Sequence, residues 1–86
     1  MYKIKLHKKV EKFLNKKSPN EVKRVIKAFE KLQKNPYPIF NSSVKKLVDT
    51  DKFRLRVGKY RFIYLVFEEE LLIFIEDGDS RGDIYK

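Results

Sequence analysis

Residues 53–67 read FRLRVGKYRFIYLVF. Two alternating runs flank Gly58-Lys59, and glycine at the first central position suits a two-residue hairpin turn. With those two residues as the loop, Val57 faces Tyr60, Arg56 faces Arg61 and Arg54 faces Ile63. Successive side chains leave a strand on opposite faces. Phe53, Leu55, Val57, Tyr60, Phe62, Tyr64 and Val66 therefore form one apolar layer. The other face carries Arg54, Arg56 and Arg61, with Ile63 and Leu65 farther from the turn. Like charges directly across a strand pair repel, so Arg56 opposite Arg61 is a costly choice for a face that only meets water. Both guanidinium groups splaying into solvent is the bland reading, since surface charges interact weakly. The sharper one is a site for a multiply anionic ligand, because planar guanidinium groups fit phosphate.

The apolar layer needs a cover, and the sequence upstream of it supplies one. Tyr2 to Leu6 alternates apolar residues with Lys3 and Lys5, the pattern of a half-buried strand. From about Lys8 the period changes, and Val10, Phe13 and Leu14 predict a short helix ending near Lys17. Ser18-Pro19-Asn20-Glu21 then combines a capping serine, a proline at the first helical position and a capping-box glutamate. Val22, Val25, Ile26, Phe29 and Leu32 make the apolar stripe of this second helix, which Asn35-Pro36 stops. Two consecutive helices joined by a tight turn read as a helical hairpin.

Between that hairpin and the strands, residues 37–51 read as loop, with Pro38 and the Asn41-Ser42-Ser43 cluster as breakers. Lys45 to Leu47 is at most one turn or extended piece. Past the strands, Glu68-Glu69-Glu70 makes a charged turn and Leu71 to Ile75 a continuously apolar strand, central or covered on both sides. Glu76 to Gly82 is polar and turn-rich, and Ile84-Tyr85 is a short final strand. The expected fold is α+β, a single domain over residues 1–86. Its order is strand–helix–helix–three-strand antiparallel meander, with the helical hairpin on one sheet face and the arginines on the other.

Charge narrows the function. The formal net charge is +9 in 86 residues, with no cysteine and one histidine. Residues 1–44 hold twelve Lys/Arg and three Asp/Glu, residues 45–61 seven and two, and residues 68–86 two and seven. A basic body ending in an acidic tail suits nucleic acid or an acidic protein partner. No run approaches a membrane span, and MYKIKLHKK lacks the apolar core of a signal peptide, so a cytoplasmic protein is the expectation. One histidine and no cysteine exclude a catalytic triad and a histidine-based metal site, and His7 reads as a solvated surface residue. Asp77-Gly78-Asp79-Ser80-Arg81-Gly82 is no calcium loop, because Arg81 holds the fifth position and the chain stops short of the twelfth. No cofactor motif is present.

What remains is Arg54, Arg56, Arg61, Arg81 and Tyr85. On the stretches YKIKLHKKVEKFL, AFEKLQKNP, VKKL, RLRVGKYRFIY and SRGDIY, in that order over almost the whole chain, the sequence resembles the RelE/ParE toxin superfamily. The resemblance implies a RelE-like fold related to microbial ribonucleases, and a metal-independent toxin neutralised by a RelB-like antitoxin in a hetero-oligomer. It implies cleavage of mRNA in the ribosomal A site by attack of the RNA 2′-hydroxyl on the adjacent phosphate. Arg54 and Arg56 match the basic residues of the first hairpin strand, Arg61 the phosphate-holding arginine, Arg81 the charge-stabilising arginine and Tyr85 the base-stacking aromatic. Lys45, Lys46 and Lys52 would contact phosphates without reading sequence. Lysine often stands on the hairpin of relatives where this chain has arginine, and histidine where it has Ser80, so the general base is missing from the match. A ParE-like gyrase inhibitor without nuclease activity is the alternative that the same fold allows.

Overall fold

The register of the central hairpin follows from its turn. Gly58 has φ of +59°, the left-handed region that glycine enters without steric cost. It also sits under the Arg24 guanidinium, which would lie 3.4 Å from an added Cβ. On either side, β3 (Lys52–Val57) and β4 (Tyr60–Phe67) pair antiparallel with Val57 opposite Tyr60, Arg56 opposite Arg61 and Arg54 opposite Ile63, as the sequence predicts. The structure is a computed structural model that describes residues 1–80. Arg81, Tyr85 and the expected strand at Ile84-Tyr85 lie outside the described residues.

Three further strands complete the sheet. β1 (Lys3–Leu6) and β2 (Val44–Lys46) form its two edges, β5 (Leu72–Asp79) lies inside, and the order is β1-β5-β4-β3-β2. β1 runs parallel to β5, while β2 to β5 form an antiparallel meander. The meander is thus one strand longer than expected, because Val44–Lys46 turns back onto β3 from a segment read as loop. Its three residues carry a single buried apolar side chain, Val44, too little to register as alternation.

The covering helices are α1 (Lys8–Asn15) and α2 (Pro19–Lys34). His7 is exposed as expected, yet it caps α1, its Nδ1 accepting from the Lys9 N–H at 3.1 Å. Ser18 accepts from the Glu21 N–H and donates to the Glu21 carboxylate, with Pro19 in the first turn of α2. Val25, Phe29 and Leu32 are buried against the sheet. Ile26, expected in the same stripe, is 43% exposed, and Ala28 packs toward the core instead. At 100° per residue Ile26 lies roughly 90° around the helix from the centre of the buried stripe.

Aromatic rings fill the space between the layers. Phe62 meets Phe13 and Phe29 edge to face, with ring centroids 5.9 and 5.2 Å apart, a favoured arrangement of ring quadrupoles. The Tyr60 hydroxyl donates to Glu21, tying the hairpin to the start of α2. That bond holds the Glu21 carboxyl below the ordinary carboxylate range and pushes the Tyr60 phenol up. Burial likewise raises the Tyr64 phenol, which donates to the Pro36 carbonyl.

Candidate nucleic-acid interface

Every described arginine of the expected site lies on the sheet face opposite the helices, and the register fixes their neighbours. One cross-strand row runs Lys45, Arg54, Ile63, Asp77 over β2 to β5; the next runs Arg56, Arg61, Asp79. Val57 and Tyr60 close the turn, so Arg56 and Arg61 form the following, non-hydrogen-bonded pair, in which Cα atoms approach to about 4.5 Å. In keeping with this, the Arg56 N–H points the other way, to the Ser43 carbonyl at 2.9 Å. Arg56 is exposed, while Arg54 and Arg61 are half-buried. Three guanidinium groups thus share a patch two strands wide, where nearby low-dielectric surface strengthens any bond to an anion.

The lysines separate. Lys45 stands beside Arg54 on this face. Lys46 alternates to the other side, and its amine donates to the Thr50 carbonyl at 2.8 Å. Lys52 shares the arginine face but is paired with Glu76 at 2.6 Å. Counting 3.3–3.4 Å per strand residue, it lies about 13 Å along β3 from Arg56.

Two acids on this face were not foreseen. Residues 76–82 were expected to turn, yet β5 continues to Asp79 because one extra residue is inserted where Tyr64 pairs with Ile75 and Ile63 with Asp77. Such a bulge shifts which face the following residues occupy. Without it, Asp77 and Asp79 would continue the fully buried row of Ile73 and Ile75. With it, Asp77 faces Ile63, Asp79 faces Arg61, and Gly78 turns inward onto Phe62. An added Cβ at Gly78 would lie 3.0 Å from two Phe62 ring atoms, so a side chain there requires that ring to give by a few tenths of an ångström. Asp77 accepts from the Gly78 N–H and lies 3.8 Å from the Lys9 amine. Two buried isoleucines followed by acids two and four residues on, with glycine between, are the signal that could have shown the bulge.

The same face changes character away from the turn. Leu65 pairs with Phe74 and Phe67 with Leu72, all four at least partly exposed, with Lys3 and Lys5 on the neighbouring β1. The open face therefore has a cationic end near the hairpin turn and an apolar end beside the charged turn at residues 68–70.

No family model matches the chain. A Methanocaldococcus jannaschii protein named as toxin RelE1 is 31% identical over 86 residues, 99% of this chain and 96% of that protein. Among solved structures, a chain of the archaeal RelE–RelB complex from Pyrococcus horikoshii OT3 is 33% identical with a TM-score of 0.83, over 95% of this chain and 97% of that one. A chain of the toxin–antitoxin complex RelBE2 from Mycobacterium tuberculosis is 25% identical with a TM-score of 0.76, over 93% of this chain and 98% of that one.

Proposed function

This chain belongs to the RelE family of toxins, and from that premise we propose that it is the toxin of a type II toxin–antitoxin pair. It acts as an endoribonuclease on mRNA in the ribosomal A site and is neutralised by a RelB-like antitoxin. The observation that carries the reading is the Arg56–Arg61 cross-strand pair, with Arg54 in the adjoining row on the sheet face opposite the two helices. Repulsion between these groups is relieved when a phosphodiester lies across them.

In the proposed reaction the 2′-hydroxyl oxygen attacks the adjacent phosphorus and gives up its proton. The bond from phosphorus to the 5′-oxygen breaks, and that oxygen takes a proton. The products are a 2′,3′-cyclic phosphate and a 5′-hydroxyl. Negative charge is greatest on the phosphoryl oxygens in the pentacoordinate state, where fixed guanidinium groups bind more strongly than in the ground state. Arg61 and Arg56 hold those oxygens, and Arg54 and Lys45 steady the flanking phosphate. Arg81 would stabilise the leaving oxygen, and Tyr85 would stack on a splayed base. Arginine does not give up its proton at accessible pH and is no general base. Orientation and charge stabilisation therefore carry the rate, with the ribosome supplying the remaining groups, and cleavage of free RNA is slow. The apolar end of the same face, with Phe67 42% exposed, offers the anchors that a protein partner such as the antitoxin needs. Relatives that carry the RelE name, two of them in RelE–RelB or RelBE complexes, support this branch over the gyrase inhibitor.

The test is primer extension on a defined mRNA held on translating ribosomes, with a second message carrying a 2′-deoxy nucleotide at the cleavage position. Cuts inside the A-site codon that vanish with the deoxy message are expected. Growth arrest on expression without any cuts would overturn the nuclease reading in favour of another target.

A further inference from the structure

A second cationic surface lies around the edge of the sheet from the arginine face. Arg24, Lys27, Lys31 and Lys34 recur along α2 at intervals of three and four residues, which places them on one stripe of the helix. Ten residues at 1.5 Å each make that stripe about 15 Å long. It borders two adjoining cavities of about 260 and 350 Å³ between α2, the 41–43 segment and β3. Asn41 and Ser43 line both, and no described Asp or Glu lines either. Among the described residues, none of these four cations, nor Arg56, takes part in a salt bridge. Glu21, the acid at the start of the helix, is held by Ser18 and Tyr60.

Arg56 joins the two surfaces. β2 pairs with β3 as far as Leu55 and the Ser43 carbonyl still takes the Arg56 N–H, so beyond Arg56 to the turn β3 is itself the sheet edge. There Arg56 lines the smaller cavity together with Arg24, whose guanidinium sits over Gly58. Toward β5, by contrast, the arginine face ends at Asp77 and Asp79. An anionic strand lying on Arg61 thus meets carboxylates on one side and, on the other, the β3 edge with Arg56 and Arg24.

We propose that this groove binds the sugar–phosphate backbone of an RNA strand that continues from the arginine face, around Arg56, along α2. The inference rests on the proposed function only in taking RNA as the polyanion. Cations with neutral donors such as Asn41 and Ser43 are the usual means of holding phosphates without reading bases. A protein occupant would need a buried apolar anchor. The exposed large apolar residues, Ile26, Ile39, Val48, Phe67 and Leu71 among them, do not line the groove, whose apolar lining of Ala28, Tyr37, Leu55 and Val57 is buried or half-buried in the chain's own packing.

Fluorescence anisotropy of the full-length protein with a labelled 2′-O-methyl oligoribonucleotide, which cannot be cleaved, tests this across a range of salt concentrations. The exposed pair Lys27→Ala/Lys31→Ala should weaken binding roughly tenfold, and loss of two phosphate contacts should lower the slope of log affinity against log salt by about 1.4. Arg61→Ala is measured alongside. Weakening by Arg61→Ala but not by the lysine pair would overturn the groove and leave the proposed function standing. Weakening by the lysine pair alone would keep the groove and count against the arginine face as the reacting site. If neither changes binding, the groove is overturned as an RNA site. A lysine pair that binds RNA as the parent does but loses a Glu-rich helical peptide would make the groove a protein-docking surface and overturn the proposal as well.

Discussion

The two faces of this sheet are built from the same strands and differ by one residue in register, yet they obey opposite rules. Toward the helices, Phe62 and Tyr64 are fully buried and Phe53, Leu55 and Tyr60 nearly so, in contact with one another and with Phe13 and Phe29. On the open face, Arg61 sits beside Phe62 in sequence and opposite a second arginine. The covered face is shaped by density, where every methylene is felt. The open face sets Arg56 directly opposite Arg61, a like-charge contact that Asp79 flanks only on the β5 side of Arg61. The contrast teaches that stability and function are separable here at neighbouring positions, and substitutions can sharpen or break that separation.

The largest stability effect belongs to the covered face. Phe62→Ala should destabilise the protein by about 3–5 kcal/mol, as removal of a buried aromatic does, measured by urea unfolding. Gly78→Ala is milder, about 1–3 kcal/mol, because its methyl group presses on the Phe62 ring, which packs between Phe13 and Phe29; a melting curve above or equal to the parent's would show that the ring yields to it. On the open face the sign reverses. Arg56→Thr should stabilise by up to about 1 kcal/mol by removing the cross-strand repulsion while weakening RNA binding. Stability and binding that fall together would mean the pair is structural.

The smallest effect is tied to pH. The Tyr60–Glu21 bond needs the carboxylate ionised and the phenol protonated. Glu21's folded pKa is lowered, so its contribution is present above the ordinary carboxylate range and fades as pH falls through the lowered value. Tyr60's is raised, so its contribution persists up to the ordinary phenol range and fades as pH rises through the raised value. The melting-temperature gap between the parent and Tyr60→Phe should thus be widest near neutrality and close at both extremes. A gap that does not vary with pH would assign the bond no part in stability.

The hairpin was fully legible in the sequence, because period-two alternation and a glycine-first turn together leave one register. Both helices were legible for a similar reason, Ser18-Pro19-Asn20-Glu21 fixing the start of α2. Ile26 was misassigned because the sequence shows hydrophobicity and not the angle at which α2 meets the sheet. β2 was hidden because its pairing comes from β3 rather than from its own three residues. The acids of β5 were hidden because a bulge is a property of two strands, and Asp77 and Asp79 look like a turn until Ile63 and Arg61 are placed opposite them. The arginine face was read correctly at Arg54, Arg56 and Arg61, since alternation alone decides it. Lys46 was grouped with Lys45 by sequence proximity, which a strand's alternation undoes.

The most direct measurement pairs the melting temperature of Arg61→Ala with its single-turnover cleavage of A-site mRNA on programmed ribosomes. Removing one preorganised group from a developing oxyanion costs about 10²–10³ in rate. The expected result is that loss at a stability within about 1 kcal/mol of the parent's. Cleavage at the parental rate by a folded Arg61→Ala protein would contradict the assignment of the open face to phosphate chemistry.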